Sequence, residues 1–187
     1  MINGEDAFSY CSEFNGTLQL PNSLTEISDH CFFKCSGFKC TLQLPDSLTN
    51  LSSYCFSECS GFYGSIQPNA SINLGIYCFS KCFGFNGSLI LPNTLTKITE
   101  GWFCECPWLK GTLEIPNSVK IIGKTAFSRC NGFSGSLIIP DSVTKISNSA
   151  FLECLGFNEH LRISNSIEII ENATFYGCSC FKGSIIQ

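Results

Sequence analysis

Fourteen cysteines and two histidines are the side chains whose types most invite chemistry in this 187-residue chain. Eight of the cysteines share one setting, three residues after a phenylalanine: Cys11, Cys35, Cys59, Cys82, Cys106, Cys130, Cys154 and Cys178. Thiolates could ligate zinc, pair as disulfides or attack as nucleophiles, and each use demands its own geometry. Zinc needs four ligands about 2.3 Å from one point. The close pairs, Cys104 with Cys106 and Cys178 with Cys180, lie three repeats apart, roughly 14 Å at a strand spacing of about 4.8 Å, so one tetrahedron cannot use both. A cysteine-histidine dyad needs side chains within about 3 Å. His30 is next to Cys31, where successive side chains diverge, and His160 lies five to six repeats further on. Carboxylates such as Glu26, Glu58, Glu100 and Glu153 fall singly, with no repeated pair to share acid and base work. The glycines recur about once per repeat instead of clustering into a phosphate loop. The expectation is no catalytic residue, no metal site and no cofactor. The ladder cysteines read as small buried side chains filling one core position in successive coils. In-register stacking also sets their Cβ atoms wider than the roughly 3.8 Å a disulfide prefers.

Positioning these residues is the work of a repeat. The phenylalanines Phe8, Phe32, Phe56, Phe79, Phe103, Phe127, Phe151 and Phe175 are spaced by 24 residues, except for a step of 23 between Phe56 and Phe79. The short step places a missing residue near Ile72-Asn73 and makes that coil the expected place for an irregular edge. A fixed period in this range specifies a solenoid, so residues 1–187 form one domain of about eight coils of 23 to 24 residues. Charge is sparse at 14%, against about 25% in ordinary soluble domains. Eleven Lys and Arg dispersed over the repeats, with a net charge of -4, leave no basic footprint for nucleic acid. No apolar run reaches the roughly 18 residues of a membrane-spanning helix, and the N-terminus lacks a secretory leader's pattern. Asn3 to Phe8 aligns with the middle of a coil, and the chain closes at the end of a strand. Those ends read as an excerpt of a longer uncapped array, with strand edges open to end-to-end association.

Within a coil the punctuation orders the elements. Thr17 to Leu20, Thr41 to Leu44, Thr112 to Ile115 and Ser136 to Ile139 alternate polar and apolar residues before a proline, the pattern of a short strand closed by a residue that cannot donate to a ladder. A turn of the form Pro-Asn/Asp-Ser/Thr follows, then a second extended piece such as Val143 to Ile146. The remaining piece, Ser149 to Cys154, suits one turn of 3₁₀ or α-helix with Phe151 and Cys154 on one face.

The run Gly135 to Cys154, GSLIIPDSVTKISNSAFLEC, joins the alternating strand, the Pro-x-Ser-Val-Thr step and the Ala-Phe-x-x-Cys step. In that combination the chain resembles the BspA-type (Treponema pallidum type) leucine-rich repeat, from Gly4 to the last strand. Departures are local: Cys31, Cys55, Cys78 and Trp102 precede the phenylalanine in place of alanine, Ser164 replaces proline and Glu159 replaces glycine. The resemblance implies an α/β repeat solenoid, a right-handed horseshoe with a parallel sheet of T-L-Q-L strands on its concave side. It also implies a non-enzymatic surface or secreted adhesion module that engages host or matrix proteins. An intracellular scaffold for protein partners is the alternative, favoured by the unpaired thiols, and a spacer without a ligand is a third.

On the sheet the outward positions are Thr17/Gln19, Thr41/Gln43, Ser65/Gln67, Ser88/Ile90, Thr112/Glu114, Ser136/Ile138, His160/Arg162 and Ser184/Ile186. The candidate protein-binding face is therefore Gln19, Gln43, Gln67, Ile90, Glu114, Ile138, His160 and Arg162. Solvated strand positions would carry the same Thr and Ser residues, so the distinguishing feature is Ile90 and Ile138, two apolar residues directed at solvent. Trp102, Trp108, Tyr54 and Tyr77 make a second candidate patch on the opposite side. Sequons at Asn15, Asn50, Asn69, Asn86 and Asn172 would take glycans only in a eukaryotic secretory pathway.

Overall fold

The computed structural model describes residues 4–183 and 185–186. Each repeat makes one circuit of three segments, and successive circuits stack in register. The first segment is the T-L-Q-L stretch. Its inward residues, Leu42, Ile66, Leu89, Leu113, Leu137 and Leu161 among them, are buried, and the alternate residues face solvent, as the period of two requires. The second follows the proline turn, which closes as expected through Leu24 N–H to Pro21 O (2.9 Å), Val119 N–H to Pro116 O (3.0 Å) and Val143 N–H to Pro140 O (3.0 Å). The hydroxyl of the turn serine then reaches back one coil: Ser47, Ser118 and Ser142 donate to the carbonyls of Leu24, Leu95 and Val119 at 2.7 Å.

The sheet differs from the single continuous one expected. The longer ladder runs along the second segment, where Lys97–Ile98, Ile121–Ile122, Lys145–Ile146 and Ile169–Ile170 pair in parallel, and Glu26–Ile27, Asn50–Leu51 and Asn73–Leu74 form another run. The break falls next to the 23-residue coil. There a cleft of about 370 Å³ opens beside Ile72, Leu95 and Trp102. The T-L-Q-L ladder is present only in pieces: Gly64–Ile66 with Phe85–Leu89, and Leu137–Ile138 with Leu161–Arg162 and Ile185–Ile186.

The third segment is not a turn of helix. No helix is present among the described residues, and positive φ occurs two residues before and two residues after every ladder phenylalanine: Asp6 and Tyr10 flank Phe8, His30 and Lys34 flank Phe32, Thr125 and Arg129 flank Phe127. A helix would spend its N–H groups within the segment. Here every second N–H points along the solenoid axis instead, so that Thr125, Phe127 and Arg129 donate to the carbonyls of Asn148, Ala150 and Leu152 at 3.0, 2.8 and 2.7 Å. The left-handed residues turn the chain between these donors, and the intervening Ala126, Ser128 and Cys130 close four-residue turns onto Gly123, Thr125 and Phe127.

Inside the coils two aromatic columns run the length of the stack. The ladder phenylalanines stack on one another with centroids 5.2 to 6.4 Å apart and rings within 17° of parallel. A second column, six residues later, comprises Phe14, Phe38, Phe62 and Phe85, then Leu109, then Phe133, Phe157 and Phe181. The columns meet edge to face, as Phe56 with Phe62 (5.8 Å, 79°) and Phe127 with Phe133 (6.3 Å, 81°), the geometry that aligns positive ring edges with negative faces.

Candidate functional site

The ladder cysteines do more than fill space. Each thiol from Cys35 to Cys178 donates to the carbonyl oxygen of the ladder phenylalanine one coil back, for example Cys59 to Phe32 (2.8 Å), Cys106 to Phe79 (3.0 Å) and Cys154 to Phe127 (2.9 Å). Cysteine is therefore a short side chain that is apolar enough for the core and still offers a donor to a buried carbonyl. Burial pushes the Cys31 and Cys35 thiols up from the ordinary 9.0 to about 11, and Cys59, Cys82 and Cys130 well above it. Thiols held neutral in this way are poor nucleophiles and poor metal ligands. A pH consequence follows, with its sign set by the raised values. The folded state holds these protons more tightly than the unfolded chain, so the stability they contribute is complete below about pH 9 and is lost as pH rises toward 11. Urea midpoints measured across that window should fall, and a flat profile would contradict the buried neutral ladder.

Among the described residues no group of three or more His, Cys, Asp or Glu is arranged to hold a metal ion. His30 stacks face to face on Tyr54 (4.9 Å, 4°), and Tyr54 stacks on Tyr77 (5.1 Å, 9°), forming a short aromatic rail on the turn segment. The rail ends at Gly101, where a Cβ would collide with the Tyr77 ring. Beside it runs a column of alternating charge. Glu58 lies between Lys34 (3.7 Å) and Lys81 (3.8 Å), and Arg129 lies between Glu105 (3.9 Å) and Glu153 (2.9 Å). The second aromatic patch expected from sequence is not formed as a unit. Trp102 is wholly buried, packed 5.1 Å from Phe103, because it takes the core position that Cys78 and Ala126 hold in the neighbouring coils. Trp108 alone of that set is exposed, at 58%.

The T-L-Q-L face places Gln19, Gln43, Gln67, Ile90, Glu114, Ile138, His160 and Arg162 all at exposed positions, while Ser184 and the side chain of Ile186 lie outside the described residues. Ile90 and Ile138 are 47% and 50% exposed. Three grooves score this face, each spanning neighbouring coils: about 620 Å³ beside Gln19 and Gln43, about 510 Å³ beside Ile90, and about 790 Å³ beside Ile138 and Arg162. The first two lie where the backbone ladder is open, and the third spans the open step from Thr112 to Ser136 and the paired strands Leu137–Ile138 and Leu161–Arg162. The eight candidate residues of this face are exposed, as alternation expects, but alternation carried no signal for the grooves, nor for Asp141, which receives Arg162 at 3.4 Å, or Glu159, which accepts the Ser136 hydroxyl at 3.0 Å.

The sequons divide by structure. Asn15, Asn86 and Asn172 are exposed, whereas Asn50 spends its amide nitrogen on Glu26 (3.0 Å) and Asn69 spends its own on the Leu48 carbonyl (2.8 Å).

Comparison with known proteins supplies the remaining context. The sequence model described as BspA type leucine rich repeat region matches residues 2–133 and 111–187, in six copies. No curated protein matches the chain. Among solved structures it is similar to a leucine-rich repeat protein from Bacteroides ovatus, at 25% identity and a TM-score of 0.70, over 91% of this chain and 48% of that one. It is also similar to a leucine rich cell surface protein from Faecalibacterium prausnitzii, at 20% identity and a TM-score of 0.62, over 97% of this chain and 62% of that one. The T. pallidum leucine rich repeat protein is 21% identical with a TM-score of 0.57, over 88% of this chain and 66% of that one. The chain thus spans between about half and two thirds of these relatives' lengths.

Proposed function

This chain belongs to the BspA type leucine-rich repeat family, and from that premise we propose that it is a non-enzymatic module that binds a protein partner on its T-L-Q-L face. Leucine-rich repeat solenoids are in general protein-interaction scaffolds, because a rigid stack presents one residue per coil at a fixed pitch. The observation that carries the reading is the pair Ile90 and Ile138, half exposed on that face and each bordering a groove. Apolar side chains on a rigid surface lose little conformational freedom on contact and gain by leaving water.

The place of action in this proposal is the cell surface, as adhesion to host or matrix proteins. That is the location named for the Faecalibacterium relative. Protease shaving of intact source cells tests it: release of fragments of this chain supports the surface reading. Protection until lysis supports an intracellular scaffold, which the cysteines, all present as free thiols, would suit. Either way the face itself is tested by the double variant Ile90→Ser/Ile138→Ser. Binding of a captured partner should weaken by about 10- to 100-fold, the effect of losing two contact residues worth about 1 kcal/mol or more each. Unchanged affinity would move the site off this face.

A further inference from the structure

We propose that the T-L-Q-L face takes an extended basic segment of its partner, laid along the solenoid axis across Ile90, Glu114 and Ile138. The inference rests on this face being the ligand face and names the chemistry of what it holds. Along the axis the column reads Ile90, Glu114, Ile138, one residue per coil, so an acidic side chain stands between two exposed apolar ones. Glu114 borders both of the grooves involved, those of about 510 and 790 Å³, and the two are therefore contiguous at its side chain. The larger groove adds Glu159. Each of the seven cation-carboxylate pairs among the described residues uses other carboxylates, whether Glu58, Glu100, Glu105, Glu153, Glu171 or Asp141, so Glu114 and Glu159 have no cationic partner there. The one cation on the rim, Arg162, is engaged by Asp141. The groove thus presents net negative charge over an apolar floor, and the complementary occupant carries Lys or Arg between apolar residues.

An extended occupant presents its side chains in sequence along the axis, so the matching segment carries a basic residue reaching Glu114 between apolar residues that meet Ile90 and Ile138, and proline between such units keeps it extended.

The test uses the protein with a capped peptide repeating isoleucine-lysine-proline as the probe, read by amide chemical-shift perturbation and titration. Saturable binding with shifts centred on Glu114, Ser136 and Ile138 is expected. Glu114→Gln/Glu159→Gln should weaken it by about tenfold or more, added salt should weaken it as well, and Glu168→Gln, on another face, should leave it unchanged. The inference is overturned if the peptide does not bind, if a glutamate-for-lysine version binds equally, if the shifts map elsewhere, or if the double glutamine variant binds as before. The outcome separates from that of the face itself. A partner lost on Ile90→Ser/Ile138→Ser but indifferent to Glu114→Gln/Glu159→Gln keeps the face and removes the basic segment, whereas indifference to both sets removes both.

Discussion

Phe127→Ala is expected to remove about 3 to 5 kcal/mol of stability, the range for emptying a buried aromatic site. The Phe127 ring lies between Phe103 (6.4 Å) and Phe151 (5.6 Å) and receives Phe133 edge-on (6.3 Å), so its loss interrupts both aromatic columns at one level. Its backbone also matters: the Phe127 carbonyl accepts the Cys154 thiol, and a cavity beside it frees that contact to shift. In a stack where each coil touches only its neighbours, damage to one level weakens two interfaces and leaves distant coils intact. Hydrogen exchange should accordingly accelerate around residues 103–157 and remain slow near Cys35 and Cys59. A uniform loss of protection, or a change below about 1 kcal/mol in urea unfolding, would show that the columns are not what holds the coils together.

Gly61→Ala should cost about 3 kcal/mol, the upper part of the usual overpacking range, for a substitution of one methyl group. A Cβ at Gly61 meets the carbonyl oxygens of Ser36 and Phe38 in the preceding coil. The obstacle is backbone, with no flexible side chain to swing aside. The coils would have to part, lengthening the Phe38 to Phe62 contact of 5.8 Å. Gly37, Gly84, Gly132 and Gly156 repeat the same close approach in other coils. Glu13, Trp108 and Cys180 hold the equivalent position in the first, fifth and eighth coils, so the clash belongs to the five coils whose backbones approach this closely and not to the repeat as such. Thermal unfolding of Gly61→Ala beside Gly16→Ala, where a Cβ meets nothing within 4 Å, checks the argument. Equal melting temperatures would refute it.

The sequence by itself determined the repeat and the sidedness of T-L-Q-L strands such as Thr112 to Ile115, because those follow from period. Twenty-four-residue spacing makes every ladder residue a neighbour of its own kind, and alternation with period two assigns Leu113 inward and Glu114 outward without reference to any other segment. Proline placement likewise fixed the turns. Stacking decided what one coil read in isolation does not contain. Phe-x-x-Cys suits a helical turn locally, yet its N–H groups find carbonyls in the next coil, so the segment becomes a ribbon of turns with left-handed residues at positions such as Thr125 and Arg129. The second aromatic column was written in the sequence at six residues after the first, but its role as the edge-on partner exists only once the coils are superposed. Trp102, expected in an outer aromatic patch, was drawn inside because its position in the circuit is a core position. The grooves beside Ile90 and Ile138 were decided last and least locally, since they depend on which neighbouring backbones close into a ladder and which stay apart. Pattern along a chain reports which way a side chain faces; only the packing of one coil on the next decides what stands beside it.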